Sequence, residues 1–110
     1  MQNKIPLEKT FKKKFIAQLL EEYGSACRAT PNDPQLTQGI PDITLNCSFE
    51  DGATYWTDLE FKRTRRSTRR PNQGHFVSCN GFFVYPENSE EVLSEIRYEI
   101  SEVRRRARLP

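Results

Sequence analysis

The stretch that most restricts the fold is "DITLNCSF-EDG-ATYWTDLEFK", residues 42–62. Two runs rich in β-branched and aromatic residues flank a short turn signal, which predicts a β-hairpin. Loop length then decides which side chains share a face. A two-residue Asp51-Gly52 turn pairs Ile43 with Glu60 and mixes apolar and charged groups on both faces. A three-residue loop, Glu50-Asp51-Gly52 with Gly52 left-handed, pairs Ile43 with Leu59 and Asp42 with Glu60. It gathers Ile43, Leu45, Cys47, Phe49, Ala53, Tyr55, Leu59 and Phe61 on one face. The other face holds Asp42, Thr44, Asn46, Ser48, Thr54, Trp56, Asp58, Glu60 and Lys62. A one-residue slip destroys that sorting, so the three-residue loop is the expected one.

Helical periodicity brackets the hairpin. Leu7, Phe11, Phe15, Ile16, Leu19, Leu20 and Tyr23 form a stripe over residues 6–23, with Pro6 in the first turn and Gly24 as the stop. Val92, Leu93, Ile96, Ile100 and Val103 do the same over 89–107, with Ser89 expected as N-cap. "SACRAT" is expected as a short strand and "PNDPQLTQGIP" as a loop. A short helix is expected from Pro71, and "FFVYP" as a buried strand after the Asn80-Gly81 turn. The order is helix, three strands, helix, strand, helix. It describes a single α/β domain with a mixed sheet of about four strands, in keeping with 110 residues.

Charge is segregated rather than large: the net value is +2. Between Glu60 and Glu87 there is no acid, and that gap holds Lys62, Arg63, Arg65, Arg66, Arg69 and Arg70. Lysines 12–14 and Arg104, Arg105, Arg106 and Arg108 form further clusters. Such patches suit a polyanion, because guanidinium pairs with phosphate through two parallel hydrogen bonds; a solvated surface is the plainer alternative. No apolar run reaches membrane-span length, and no secretory h-region opens the chain. The three cysteines, Cys27, Cys47 and Cys79, are far apart, with no CxxC pair. They are read as small buried hydrophobes in a reducing, intracellular setting, without disulfides.

Placed across from each other, Asp42 and Glu60 repel unless a proton or cation joins them. A hard divalent ion such as magnesium satisfies both, and Lys62, on the same face, is then placed to act on a water or a phosphate. A plain Glu-Lys pair on a wet strand accounts for "ExK" taken alone. Asp58 is expected to be solvated or to support the pair, and Trp56 to be packed.

"GIPD" (39–42), then a strand, a turn and "LEFK" (59–62), resembles the PD-(D/E)xK nuclease signature. The closer resemblance is to the VRR-NUC group of that superfamily, whose small standalone members occur in viruses. It covers nearly the whole chain. It implies a restriction-endonuclease-like core. It also implies Glu8, Asp42 and Glu60 as ligands of one or two Mg2+ or Mn2+ ions, with the Phe61 carbonyl as a further ligand. Catalysis then involves Asp42, Glu60, Lys62 and Gln73. "CRATPN" offers Arg28 and Asn32 for the family's R-x-N strand, with two extra residues between them. Glu8 also suits a helix N-terminus for electrostatic reasons alone. Arg28, Arg63, Arg65, Arg66, Arg69 and Arg70 are the expected DNA contacts. The implied activity is a structure-selective DNA endonuclease acting on branched DNA such as four-way (Holliday) junctions, and cutting two strands calls for a homodimer. The readings from other classes are a non-catalytic nucleic-acid binder and a protein-interaction module using the acidic helix 89–102.

Overall fold

The computed structural model describes residues 8–32, 42–62 and 80–110. The expected helix from Pro71 lies outside them. The described elements are α1 (Glu8–Tyr23), β1 (Cys27–Pro31), β2 (Ile43–Ser48), β3 (Thr54–Phe61), β4 (Gly81–Val84) and α2 (Ser89–Ala107). The strands form one sheet in the order β1-β2-β3-β4. The first three are antiparallel and β4 lies parallel to β3, so the sheet is mixed and the domain α/β.

The hairpin adopts the three-residue loop. Ile43 pairs with Leu59 and Ser48 with Thr54. Phe49 N–H donates to the Ala53 carbonyl at 2.9 Å, leaving Glu50, Asp51 and Gly52 as the turn. Gly52 has φ +91°, a conformation that disfavours any side chain with a Cβ. Asp51 caps the loop by accepting from Ala53 N–H at 3.1 Å. Its carboxylate also meets Arg104 at 2.9 Å and Arg108 at 3.6 Å. The Arg104 hydrogen bond, then the Ala53 N–H, holds the Asp51 carboxyl below its ordinary range. Part of the basic C-terminal cluster therefore straps α2 to the hairpin tip.

One core joins both helices to one face of the sheet. Phe11, Phe15 and Leu19 of α1 and Val92, Leu93, Ile96 and Ile100 of α2 pack with Ile43, Leu45, Leu59, Phe61 and Val84. Phe11 and Phe15 meet Phe61 edge-on, with ring centroids 5.7 and 5.4 Å apart. Thr57 lies fully buried in this face, and its hydroxyl donates to the Asn80 carbonyl at 3.4 Å. Tyr55 donates to Glu99 on α2 at 2.6 Å. Burial, then this carboxylate, pushes the Tyr55 phenol far above its ordinary range.

Four expectations need correction. Cys27 and Cys47 form a disulfide. Twenty residues separate them in sequence, but the β1–β2 register sets them directly opposite each other. Their spacing therefore gave no ground for expecting free thiols or a reducing setting. Secondly, the strand in "SACRAT" begins later, because Gly24–Ala26 form a 3-10 turn with Gly24 at φ +61°. It also takes in Pro31, which an edge strand tolerates. Thirdly, Ser89 is already helical. A 3-10 turn, Pro86–Asn88, leads into α2, so Asn88 takes the N-cap position and the Ser89 hydroxyl donates back to the Pro86 carbonyl. Finally, Trp56 is only partly packed. It stands on the polar face and is 43% exposed.

Candidate functional site

The site forms where β2 begins and β3 ends. Ile43 opposite Leu59 brings Asp42 against Glu60, and here side chains replace the backbone ladder. Phe61 N–H donates to Asp42 Oδ2 at 2.8 Å. In return, Asp42 N–H donates to Glu60 Oε1 at 3.2 Å. Each carboxylate is thus held by the partner strand. Lys62 Nζ lies 3.4 Å from Glu60 Oε2. Its backbone N–H donates to the Val84 carbonyl at 2.9 Å, which ties the residue to β4.

The electrostatics follow from partial burial. Desolvation raises the Glu60 carboxyl above its ordinary range, and the nearby Asp42 charge raises it further. Lys62 and the Asp42 N–H act in the opposite sense. Lys62 is the local counter-ion. Among the described residues, no hydrogen bond reaches Asp42 Oδ1.

A second polar row lies one step into the sheet. Thr44 pairs with Asp58, and its hydroxyl donates to Asp58 Oδ1 at 2.7 Å. Asn32 Nδ2 donates to the Thr44 hydroxyl at 3.1 Å, and Asn32 N–H donates to the Asp42 carbonyl at 3.0 Å. Asp58 is only 5% exposed, so the expectation of a solvated side chain is corrected. Its burial is compensated by the Thr44 bond. Asn32, Thr44 and Asp58 therefore brace the strand that carries Asp42. Sequence reasoning allowed Asp58 a supporting role but gave Thr44 none, although the predicted register already placed them face to face.

Of the expected site residues, the structure brings together Asp42, Glu60, Phe61 and Lys62. Glu8 opens α1 one turn before Phe11, which packs on Phe61, so the helix start lies at the same end of the sheet. The Glu8 side chain lies outside the described residues. So do Gln73, Arg63, Arg65, Arg66, Arg69 and Arg70, and Gly39 and Pro41 of "GIPD". Arg28 is exposed on β1, on the face that carries the carboxylates. Glu99 and Glu102 of the acidic helix are engaged within the chain, with Tyr55 and Arg105.

Among the described residues, no group of three or more His, Cys, Asp or Glu side chains is gathered as for a metal ion. The donor set is a carboxylate pair with backbone oxygen close by. An extended residue points its N–H and C=O to the same side. The Phe61 carbonyl therefore faces the Asp42 side, as its N–H does. Two carboxylates with a backbone carbonyl are the hard oxygen donors that magnesium or manganese takes, and the Asp42 charge, which adds to the larger effect of burial on Glu60, is one a cation would relieve. The residues fit such an ion.

Compared with known proteins, the chain matches no family model, and it has no significant match to any curated protein or solved structure. Among the described residues no helix is long and apolar enough to cross a membrane.

Proposed function

We propose that the chain is a metal-dependent endonuclease hydrolysing phosphodiester bonds in DNA. The observation that carries this is the interlocked Asp42–Glu60 pair with Lys62 on Glu60. A structural ion pair needs one acid. Here two acids are held together at a strand end, and the cost of that repulsion is explained if a cation binds there.

Asp42 and Glu60 would hold Mg2+ or Mn2+, with the Phe61 carbonyl and Glu8 as further ligands. A bound ion supplies Lewis-acid polarisation of the phosphate and a more acidic water. The chain's own residues do the rest. Asp42 fixes the Phe61 backbone, and Glu60 fixes the Asp42 backbone. Lys62 serves as counter-ion in the metal-free protein. With the Glu60 charge shared by such an ion, the Lys62 ammonium would be free to orient the attacking water and to stabilise charge on the phosphate. Contacts from Arg28 and from the arginines at 63, 65, 66, 69 and 70 would grip backbone phosphates without reading sequence. Branched DNA such as a Holliday junction is the proposed substrate, with a homodimer supplying two sites, in the VRR-NUC manner and within a cell.

The test is cleavage of linear, single-stranded and four-way-junction DNA with magnesium, manganese or EDTA. Metal-dependent cleavage that Lys62→Ala and Asp42→Asn both abolish supports the reading. DNA binding without cleavage in any metal would leave a nucleic-acid binder, and no binding at all a protein-interaction module.

A further inference from the structure

The polar face carries another feature at some distance from the carboxylates. Arg28 pairs with Asn46, and Asn46 with Trp56, so the three stand side by side across β1, β2 and β3. All three are exposed, and Trp56 is 43% exposed. An indole left open in mid-strand, beyond the core that buries its neighbours Tyr55 and Thr57, is an unusual use of the chain's single tryptophan. The row has no acid. The nearest acid along β3, Asp58, is buried and bonded to Thr44. Among the described residues no carboxylate pairs with Arg28. The row is thus an aromatic plane, an amide and a guanidinium with no carboxylate partner among the described residues.

That combination suits a nucleotide whose base is not paired. An aromatic face stacks any exposed base, a guanidinium takes its phosphate, and an amide reaches a base edge. A blunt duplex hides its base faces and cannot use the indole.

We propose that Arg28, Asn46 and Trp56 form a stacking subsite for an unpaired base of the DNA strand held at the carboxylate pair. The inference rests on the nuclease reading and adds the source of its structure selectivity. Trp56 and Glu60 lie on one face, four residues apart along β3, or about 13 Å at strand rise. About four stacked nucleotides span that distance, at 3.4 Å each. The enzyme would favour DNA whose unpaired base lies within a few nucleotides of the cut, as at a branch or flap.

The single tryptophan makes the test direct. The full chain carrying Lys62→Ala, in EDTA, is titrated with a labelled single-stranded oligonucleotide and with a blunt duplex of the same sequence. Indole fluorescence and label anisotropy are both read. The expected result is quenching by the single strand and little by the duplex. Trp56→Ala should weaken single-strand binding by about 5- to 150-fold, with Trp56→Phe recovering much of it. Arg28→Ala should lower the salt dependence by about one counter-ion. Unchanged melting of the variants shows that the fold is intact. Single-strand binding without quenching, or unchanged in Trp56→Ala, overturns the subsite and leaves the nuclease reading standing. So does a Trp56→Ala variant that alters only the oligomeric state. Quenching and Trp56-dependent binding, with no cleavage by the unsubstituted chain in any metal, keep the subsite and overturn the nuclease reading. No DNA binding at all, by the unsubstituted chain with magnesium as well, overturns both.

Discussion

Asp42 and Glu60 are joined through each other's strand: Asp42 N–H donates to Glu60 Oε1, and the Asp42 carboxylate accepts from Phe61 N–H, next to Glu60. The acids thus serve as the last rung of the β2–β3 ladder as well as the charged centre of the site. Removing a carboxylate tests two things at once, and the choice of replacement separates them.

Asp42→Asn keeps an oxygen for Phe61 N–H and removes the charge. It is expected to lower metal-dependent cleavage by about 100- to 1,000-fold or more while melting close to the parent. Asp42→Ala also removes the acceptor and should lose about 1 kcal/mol of stability. Thermal melts beside single-turnover cleavage distinguish the two. Equal melting of both variants would show that the Phe61 bond contributes nothing.

The raised Glu60 carboxyl gives a pH dependence of definite sign. An acid whose folded pKa lies above its unfolded value contributes stability at low pH, lost as pH rises through the folded pKa. At neutral pH without metal, Glu60→Gln should therefore be slightly more stable than the parent. After allowance for solvent screening, the gain is on the order of 0.5 kcal/mol. Magnesium should raise the melting temperature of the parent and much less that of Glu60→Gln. An equal magnesium shift in both proteins would remove Glu60 from the ligand set.

Asp58 and Thr44 should show strong coupling. Asp58→Ala removes the acceptor of the part-buried Thr44 hydroxyl and empties a buried position, and is expected to cost about 2–3 kcal/mol. Thr44→Val leaves the buried carboxylate without its donor and should cost about 1–2 kcal/mol. Urea denaturation of both and of the double variant forms a cycle. Additive losses would show that the 2.7 Å contact carries no energy of its own.

The disulfide predicts a thiol count. The chain has three cysteines and the Cys27–Cys47 bridge uses two, so unfolding without reductant should expose one thiol and with reductant three. For a closed loop of this length, reduction should lower stability by about 3 kcal/mol or less. Cys27→Ser with Cys47→Ser should make melting insensitive to reductant.

Gly52 tests the hairpin. Nothing lies within 4 Å of where a Cβ would sit, but its φ is +91°. Gly52→Ala should thus cost about 1 kcal/mol through backbone conformation alone. A neutral result in thermal melts would mean that the loop relaxes to another turn.

The hairpin was legible because each step of its register had a large hydrophobic consequence. Sorting Ile43, Leu45, Leu59 and Phe61 from Asp42, Thr44 and Glu60 admits one loop length, and the Asp42–Glu60 opposition followed from it. The helix spans were legible from periodicity for the same reason. The disulfide was not, because Cys27 meets Cys47 only through the β1–β2 register, which no turn signal reveals across the intervening loop. Nor was the fate of Asp58 and Trp56 legible. Alternation put both on the polar face, but depth on that face depends on neighbours such as Thr44 and Asn32, and alternation carries no information about them.

The strap between α2 and the hairpin tip gives the molecule two ends. Tyr23 meets Phe49, with ring centroids 6.1 Å apart, and Arg104 lies over the same ring at 4.4 Å. Phe11 meets Phe61 near the carboxylates. The last turn of α2 therefore sits at the end of the sheet remote from Asp42 and Glu60. For surface immobilisation or a distance-reporting dye, that turn is the natural handle: a molecule held there presents its carboxylate end outward, with the attachment out of the way of any long polymer laid across it.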